Sequence, residues 1–121
     1  MELRCQNLVT LFFGKLELKE IPQAFLCYLT SLRVLDLSCT QMKSLTLSLW
    51  EPRQLKFLNL SWTEIENVDE RIGNLSSLQF LNLIFCMKFK SLPSEIVKLK
   101  SLRYFDFSEI SGILILASVI T

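Results

Sequence analysis

A six-residue pattern recurs five times along this chain at nearly constant spacing, and it restricts the possible folds more than any other feature. The pattern is L-x-x-L-x-L, with aromatic residues replacing leucine in some copies. Its copies are LVTLFF from Leu8, LRVLDL from Leu32, LKFLNL from Leu55, LQFLNL from Leu78 and LRYFDF from Leu102. The starting residues are 24, 23, 23 and 24 positions apart. Such a regular period predicts a stack of similar units rather than a globule around one central core.

A period in the low twenties that carries this pattern is the signature of a leucine-rich repeat. We therefore predict an α/β leucine-rich-repeat solenoid with a parallel sheet on its concave side and irregular or short helical convex segments. The prediction comprises about five repeats within residues 1–107, starting near residues 8, 32, 55, 78 and 102. Because one repeat cannot bury its own apolar edge, the stability of the chain must come from stacking on neighbouring repeats.

Alternation along a strand decides which residues of each repeat are inside. In the second repeat, Leu32, Leu35 and Leu37 are predicted to point into the stack. Val34 and Asp36 lie between them and are predicted to face outward. The same assignment in every repeat predicts a row of leucines through the core and outward-facing rows on the concave surface.

Small residues follow each strand, where the chain is predicted to turn. Thr40, Thr63 and Cys86 occupy this position in the second, third and fourth repeats. A larger side chain would not fit the bend, and a hydroxyl can hydrogen-bond the turning backbone. Asp69 and Pro93 then mark the start of the convex segment, where proline presets φ for a first helical turn.

The net charge of the chain is +1, so its overall electrostatics do not favour a nucleic acid or an anionic membrane as partner. The charged residues are nevertheless unevenly placed. The third repeat carries the acidic residues Glu64, Glu66, Asp69 and Glu70, and the fourth and the start of the fifth carry the basic residues Lys88, Lys90, Lys98, Lys100 and Arg103. We interpret these groups as a solvated outer face, with a polar binding seam as the alternative.

Catalytic and metal-binding patterns are missing from the sequence. The chain has no histidine and its four cysteines show no C-x-x-C spacing, which argues against common zinc sites. Its three glycines form neither a G-x-S-x-G motif nor a phosphate-binding loop. We predict that the chain is not an enzyme and needs no cofactor or metal. Reduced thiols and an N-terminus without a secretory pattern favour a cytoplasmic location.

The concave face carries the predicted binding residues, because stacking places equivalent outward positions side by side. Aromatic residues at these positions are Phe57, Phe80, Tyr104, Trp62 and Phe85. A neighbouring polar ladder consists of Asp36, Asn59, Asn82 and Asp106. We predict that the aromatic side chains form one exposed patch that contacts a protein partner, because aromatic residues are enriched at interface centres. The alternative is that they only pack against one another as cross-strand neighbours.

The last segment, residues 108–121, departs from the repeat pattern. It reads SEISGILILASVIT and is rich in apolar residues, yet its apolar run is too short to span a bilayer. Three interpretations stay open: an irregular element that seals the stack, a truncated sixth repeat, or sequence that arises from an incomplete gene model.

The repeats also resemble those of a particular protein class. LRVLDLSCTQMKSL and LKFLNLSWTEIENV are similar to the repeat consensus of plant intracellular immune receptors. The segment LQFLNLIFCMKFKSLPSEIVKLKSLRYF resembles the following unit, in which cysteine replaces threonine and one residue is added. The resemblance covers residues 5–107.

The resemblance implies a fragment of a nucleotide-binding, leucine-rich-repeat disease-resistance protein. In that class the repeats sense a pathogen effector or a guarded host protein and restrain the nucleotide-binding switch domain. The partner would therefore be an effector, a host protein or the nucleotide-binding domain of the same receptor. Nothing in this sequence resembles that domain, so only the sensor role is carried over. The alternative functions are a free-standing cytosolic adaptor that scaffolds signalling proteins and an extracellular receptor fragment.

Overall fold

The computed structural model describes residues 10–17, 19–20, 31–45 and 54–107. Within them, five three-residue strands form one parallel sheet. The strands are β1 (Thr10–Phe12), β2 (Val34–Asp36), β3 (Phe57–Asn59), β4 (Phe80–Asn82) and β5 (Tyr104–Asp106). Each strand pairs with the next one along the chain, in the order β1-β2-β3-β4-β5. This arrangement confirms the predicted leucine-rich-repeat solenoid. The segment 108–121 lies outside the described residues.

Strand register matches the alignment of the repeats residue for residue. Thr10 pairs with Val34, Val34 with Phe57, Phe57 with Phe80 and Phe80 with Tyr104. Backbone hydrogen bonds continue this register beyond the strand ends. The N–H of the residue after each of the first four strands donates to the carbonyl of the last strand residue in the next repeat, as Leu37 does to Asn59 at 2.9 Å. Equivalent positions of neighbouring repeats therefore lie side by side within the described part of the sheet.

The core is the inward-facing row that the pattern predicts. Leu32, Leu35 and Leu37 are completely buried, and their equivalents in the third and fourth repeats are buried to the same extent. The convex side adds further buried residues, among them Ile72 and Ile96. Full burial of each such side chain contributes about 1.5–3 kcal/mol, so this row makes a large favourable contribution to the free energy of folding.

The small residues after the strands are buried and hydrogen-bonded as predicted. The Thr40 hydroxyl donates to the Leu37 carbonyl at 2.7 Å, and the Thr63 hydroxyl donates to the Leu60 carbonyl at 2.8 Å. Cys86 differs, because its thiol donates to the Leu60 carbonyl of the preceding repeat at 3.0 Å. Burial raises the pKa of the Cys86 thiol, which keeps it protonated as a donor.

Short 3₁₀ helices form the convex side of the third repeat, Glu70–Asn74, and of the fourth repeat, Ser94–Lys98. The Asp69 carboxylate caps the third-repeat helix by accepting a hydrogen bond of 2.8 Å from the Arg71 backbone N–H. Pro93 lies one residue before the fourth-repeat helix, with φ −71° and ψ 150°, rather than inside its first turn.

The acidic and basic residues of neighbouring repeats form ion pairs on the surface. Lys88 lies 3.3 Å from Glu64, and Lys90 lies 3.3 Å from Glu66. All four side chains are solvent-exposed, so each pair contributes at most about 1 kcal/mol. This geometry agrees with the interpretation of a solvated face.

Candidate recognition surface

Three stacked rings form a continuous row on the concave face, which we call the aromatic row: Phe57, Phe80 and Tyr104. The ring centroids of Phe57 and Phe80 are 4.2 Å apart, and those of Phe80 and Tyr104 are 4.3 Å apart. Interplanar angles of 9° and 4° show that the rings are nearly parallel. In-register strands produce this stacking, because equivalent side chains of neighbouring parallel strands lie about 4.8 Å apart. Both faces of Phe80 are covered by its neighbours, so a partner would reach mainly ring edges.

A second stack, the aromatic pair, consists of Trp62 and Phe85. Their ring centroids are 4.2 Å apart with an interplanar angle of 21°. Trp62 is 54% exposed, whereas Phe57, Phe80 and Phe85 are half-buried. The five predicted aromatic residues thus form two ring stacks, and Phe105 and Phe107 make a separate edge-to-face contact with centroids 4.9 Å apart.

The aromatic pair lies on a left-handed turn that the sequence did not indicate. Trp62 and Phe85 both have φ of 58°, and the equivalent residues Lys15 and Cys39 have φ of 67° and 56°. This conformation lets the Trp62 N–H donate to the Ile84 carbonyl of the next repeat at 3.1 Å. Bulky residues rarely adopt positive φ, since each such residue costs about 1–2 kcal/mol.

Three members of the predicted polar ladder make the same local hydrogen bond. Asp36, Asn59 and Asn82 each accept a hydrogen bond from the backbone N–H two residues later, at 2.9, 3.0 and 2.8 Å. Such Asx turns fix the bend that follows each strand. The Asn59 side-chain amide also donates to the Asp36 carboxylate at 3.4 Å. These side chains therefore shape the turn through one oxygen, and the Asn82 side-chain amide keeps its N–H donors directed to no described residue.

The fourth member of the ladder, Asp106, is joined to the aromatic row. The Tyr104 hydroxyl donates to the Asp106 carboxylate at 2.8 Å. This hydrogen bond raises the pKa of the Tyr104 phenol above its ordinary value, because ionisation would place two negative charges together. Tyr104 is 42% exposed, so its ring is available to a partner while its hydroxyl is held.

A row of cations that the sequence did not predict as a unit lies immediately before the strands. We call it the basic rim: Arg33, Lys56 and Arg103, with Gln79 at the equivalent position of the fourth repeat. The positions are aligned, since the Arg33 carbonyl accepts from the Phe57 N–H and the Lys56 carbonyl from the Phe80 N–H, both at 3.0 Å. The three cationic side chains are exposed. In the sequence these cations are the second residue of the second, third and fifth repeats.

The described part of the chain offers little other chemistry. Across residues 10–17, 19–20, 31–45 and 54–107, no group of three potential metal ligands lies together. The same residues include no helix that is long and apolar enough to cross a membrane.

Comparison with known proteins supports the resemblance to plant disease-resistance proteins. The chain is 37% identical over 109 residues to probable disease resistance protein At1g61190 of Arabidopsis thaliana, matching 89% of this chain and 11% of that protein. It is 38% identical over 103 residues to disease resistance protein UNI of Arabidopsis thaliana, matching 84% of this chain and 12% of that protein. The chain thus spans about one eighth of the length of these relatives.

Solved structures confirm the solenoid architecture. The leucine-rich-repeat protein LIC12759 of Leptospira interrogans superposes with a TM-score of 0.83 at 26% identity, over 95% of this chain and 29% of that protein. The plant peptide hormone receptor RGFR1, in complex with RGF2, superposes with a TM-score of 0.77 at 28% identity, over 89% of this chain and 18% of the receptor chain.

The family model described as a leucine-rich repeat region matches residues 6–115. This match covers nearly the whole chain and includes all five strands. The chain therefore belongs to the leucine-rich repeat family.

Proposed function

We propose that this chain is a protein-recognition module of a plant intracellular immune receptor, and that its concave face makes the contact. We place the repeat domain at residues 1–107 and the protein in the cytoplasm. The similarity to two Arabidopsis disease-resistance proteins supports a role in defence. The partner would be a pathogen effector, a guarded host protein or the nucleotide-binding domain of the same receptor.

The aromatic row is the observation on which this proposal depends most. Its three rings, with the exposed Trp62 nearby, form an apolar surface that has no role in the leucine core. Aromatic side chains concentrate binding energy in protein interfaces, because they bury a large area with little loss of conformational freedom. The structural neighbour RGFR1, which is a peptide hormone receptor in complex with RGF2, is a precedent for ligand recognition on this fold.

A double substitution in the aromatic row tests the proposal. Phe57→Glu with Phe80→Glu places two like charges side by side, which should leave the leucine core intact and abolish partner binding. A matched control, Met87→Glu with Val97→Glu, changes two exposed apolar residues outside the row. Extracts of elicited leaf tissue would be passed over the wild type, the control and the double variant. A plant protein that the wild type and the control capture and the double variant does not would be purified, and its affinity for each would be measured by calorimetry.

The expected result is loss of binding by at least 100-fold for the row variant and little change for the control. Unchanged binding by a row variant with a normal circular-dichroism spectrum would contradict the proposal. Because glutamate could disturb the sheet, Phe57→Thr with Phe80→Thr serves as a second variant with high strand propensity.

The alternative function is a free-standing adaptor that scaffolds signalling proteins. It uses the same concave surface, so binding data alone do not separate it from a receptor module. Sequencing the full-length transcript through both ends of the reading frame separates them. A nucleotide-binding domain encoded in frame supports the receptor, and an in-frame stop just upstream of Met1 supports the adaptor.

A further inference from the structure

We propose that the concave face binds an acidic, extended peptide segment whose carboxylates contact the basic rim and whose apolar side chains lie on the aromatic row. This inference rests on the proposed function, because it names the partner chemistry of the same surface. Its evidence is the charge pattern around the aromatic row.

The basic rim has positive charge that the described residues do not neutralise. Arg33, Lys56 and Arg103 are exposed and form no ion pair within the described part of the chain. By contrast, Lys88 and Lys90, which follow β4, are paired with Glu64 and Glu66. The rim thus concentrates unpaired positive charge on a chain whose net charge is only +1. A local field of this kind selects a partner of opposite charge and guides its approach.

Spacing along the rim fits a short extended segment. Arg33 and Arg103 directly precede β2 and β5, which are three strand intervals apart, or about 14 Å. An extended peptide rises about 3.3 Å per residue, so five residues cover this distance. Successive side chains of such a peptide point in opposite directions. A segment that runs across the strands can therefore direct alternate residues to the rim and to the aromatic row.

The rest of the face fixes the orientation of the segment. Asp36 and Asp106 lie on the opposite side of the aromatic row from the basic rim, and their carboxylates accept hydrogen bonds. An acidic side chain on that side would meet like charge. The surface is thus polarised from cationic through aromatic to anionic, and an acidic segment has one favourable placement.

Fluorescence anisotropy on the 121-residue chain tests this proposal with two labelled peptides. One contains Glu-Leu-Glu-Trp-Glu between Gly-Ser flanks, and the other contains lysine in place of each glutamate. We expect the acidic peptide to bind at least tenfold more tightly than the basic one in about 50 mM salt. Raising the salt concentration should weaken the acidic complex, because exposed charges are screened.

Charge reversal on the rim provides the decisive comparison. Arg33→Glu with Lys56→Glu should reverse the preference, so that the basic peptide binds more tightly. The matched control, Lys98→Glu with Lys100→Glu, makes the same change in net charge outside the concave face and should retain the preference. Equal losses in the rim variant and the control would overturn the proposal, because the preference would then depend on net charge.

The aromatic row supplies the remaining test. Phe57→Thr with Phe80→Thr should weaken binding of the acidic peptide by at least tenfold. Unchanged affinity would overturn the placement of the peptide's apolar side chains on the aromatic row. If neither peptide binds while a captured plant protein still requires the aromatic row, the acidic-segment proposal is wrong and the proposed function stands. If neither peptide binds and the captured protein binds without the aromatic row, both the acidic-segment proposal and the proposed function are wrong.

Discussion

The eighth residue of each repeat illustrates how backbone geometry can override side-chain preference. This residue adopts φ between 56° and 67° in four repeats, although its side chain is Lys15, Cys39, Trp62 or Phe85. The left-handed turn allows its N–H to pair with the next repeat, as the 3.0 Å bond from Lys15 to the Ser38 carbonyl shows. Since glycine would meet this requirement without strain, each residue of the aromatic pair has a conformational cost that glycine would avoid.

Substitution of Trp62 should therefore produce an unusual order of stabilities. Trp62→Gly removes the ring stacking, worth about 0.5–1.5 kcal/mol, and relieves about 1 kcal/mol of left-handed strain. Trp62→Ala removes the stacking but keeps the strain. We expect the glycine variant to be more stable than the alanine variant by about 1 kcal/mol in urea unfolding. An alanine variant that equals or exceeds the glycine variant would show that the turn is not strained.

The two buried threonines offer a second prediction at the residue scale. Thr40→Val leaves the Leu37 carbonyl without its hydroxyl donor, whereas the Leu60 carbonyl keeps Cys86 as a donor in Thr63→Val. Loss of a buried hydrogen bond costs about 0.5–1.5 kcal/mol, and more where a buried acceptor stays unsatisfied. Urea unfolding should therefore show a larger loss for Thr40→Val, and the reverse order would contradict the assigned backup role of Cys86.

At the scale of the elements, the close approach of the two 3₁₀ helices depends on Gly73. A Cβ atom at this position would lie 3.0 Å from Lys98 Cδ, 3.2 Å from the Glu95 carbonyl oxygen and 3.3 Å from Glu95 Cβ. The lysine can move aside, but the Glu95 backbone is held within its helix. Neighbouring convex segments pack this closely because residue 73 has no side chain.

Gly73→Ala should lower the free energy of unfolding by about 1 kcal/mol. The steric penalty of overpacking, about 1–3 kcal/mol, exceeds the gain of about 0.4–1 kcal/mol from restricting the unfolded chain. Thermal unfolding of Gly73→Ala would be compared with Asn74→Ala, an exposed substitution in the same helix. A Gly73→Ala protein that melts above the wild type would mean that the helices separate easily.

The elements also show which parts of the structure a sequence can predict. Strand positions, register and the rows of Phe57 and Asn59 follow from the repeat period, because stacking copies each position onto the next repeat. The left-handed φ of Trp62 does not follow, since the residues at that position share no chemistry. The Asx turns at Asp36 and Asn82 do not follow either, because a polar residue on a concave face is compatible both with a turn and with a partner contact. Only contacts in the structure distinguish them.

For the whole molecule, stability should vary with position along the stack. Each repeat contacts only its neighbours, so an inner repeat is supported on both sides and β1 on one side within the described sheet. Leu58 in β3 is completely buried, whereas the equivalent Leu11 in β1 is only partly buried. The same substitution should consequently have different effects at these two positions.

Leu58→Ala should lower the free energy of unfolding by about 2–5 kcal/mol, because it leaves a cavity between two stacked repeats. Leu11→Ala should lower it by about 1 kcal/mol, since the site is partly exposed and can relax. Native-state hydrogen exchange, measured on each variant, shows which strands lose protection. Leu58→Ala should reduce protection across β2, β3 and β4, whereas Leu11→Ala should reduce it mainly in β1. Equal losses over the whole sheet in both variants would indicate that the stack unfolds as one cooperative unit and not repeat by repeat.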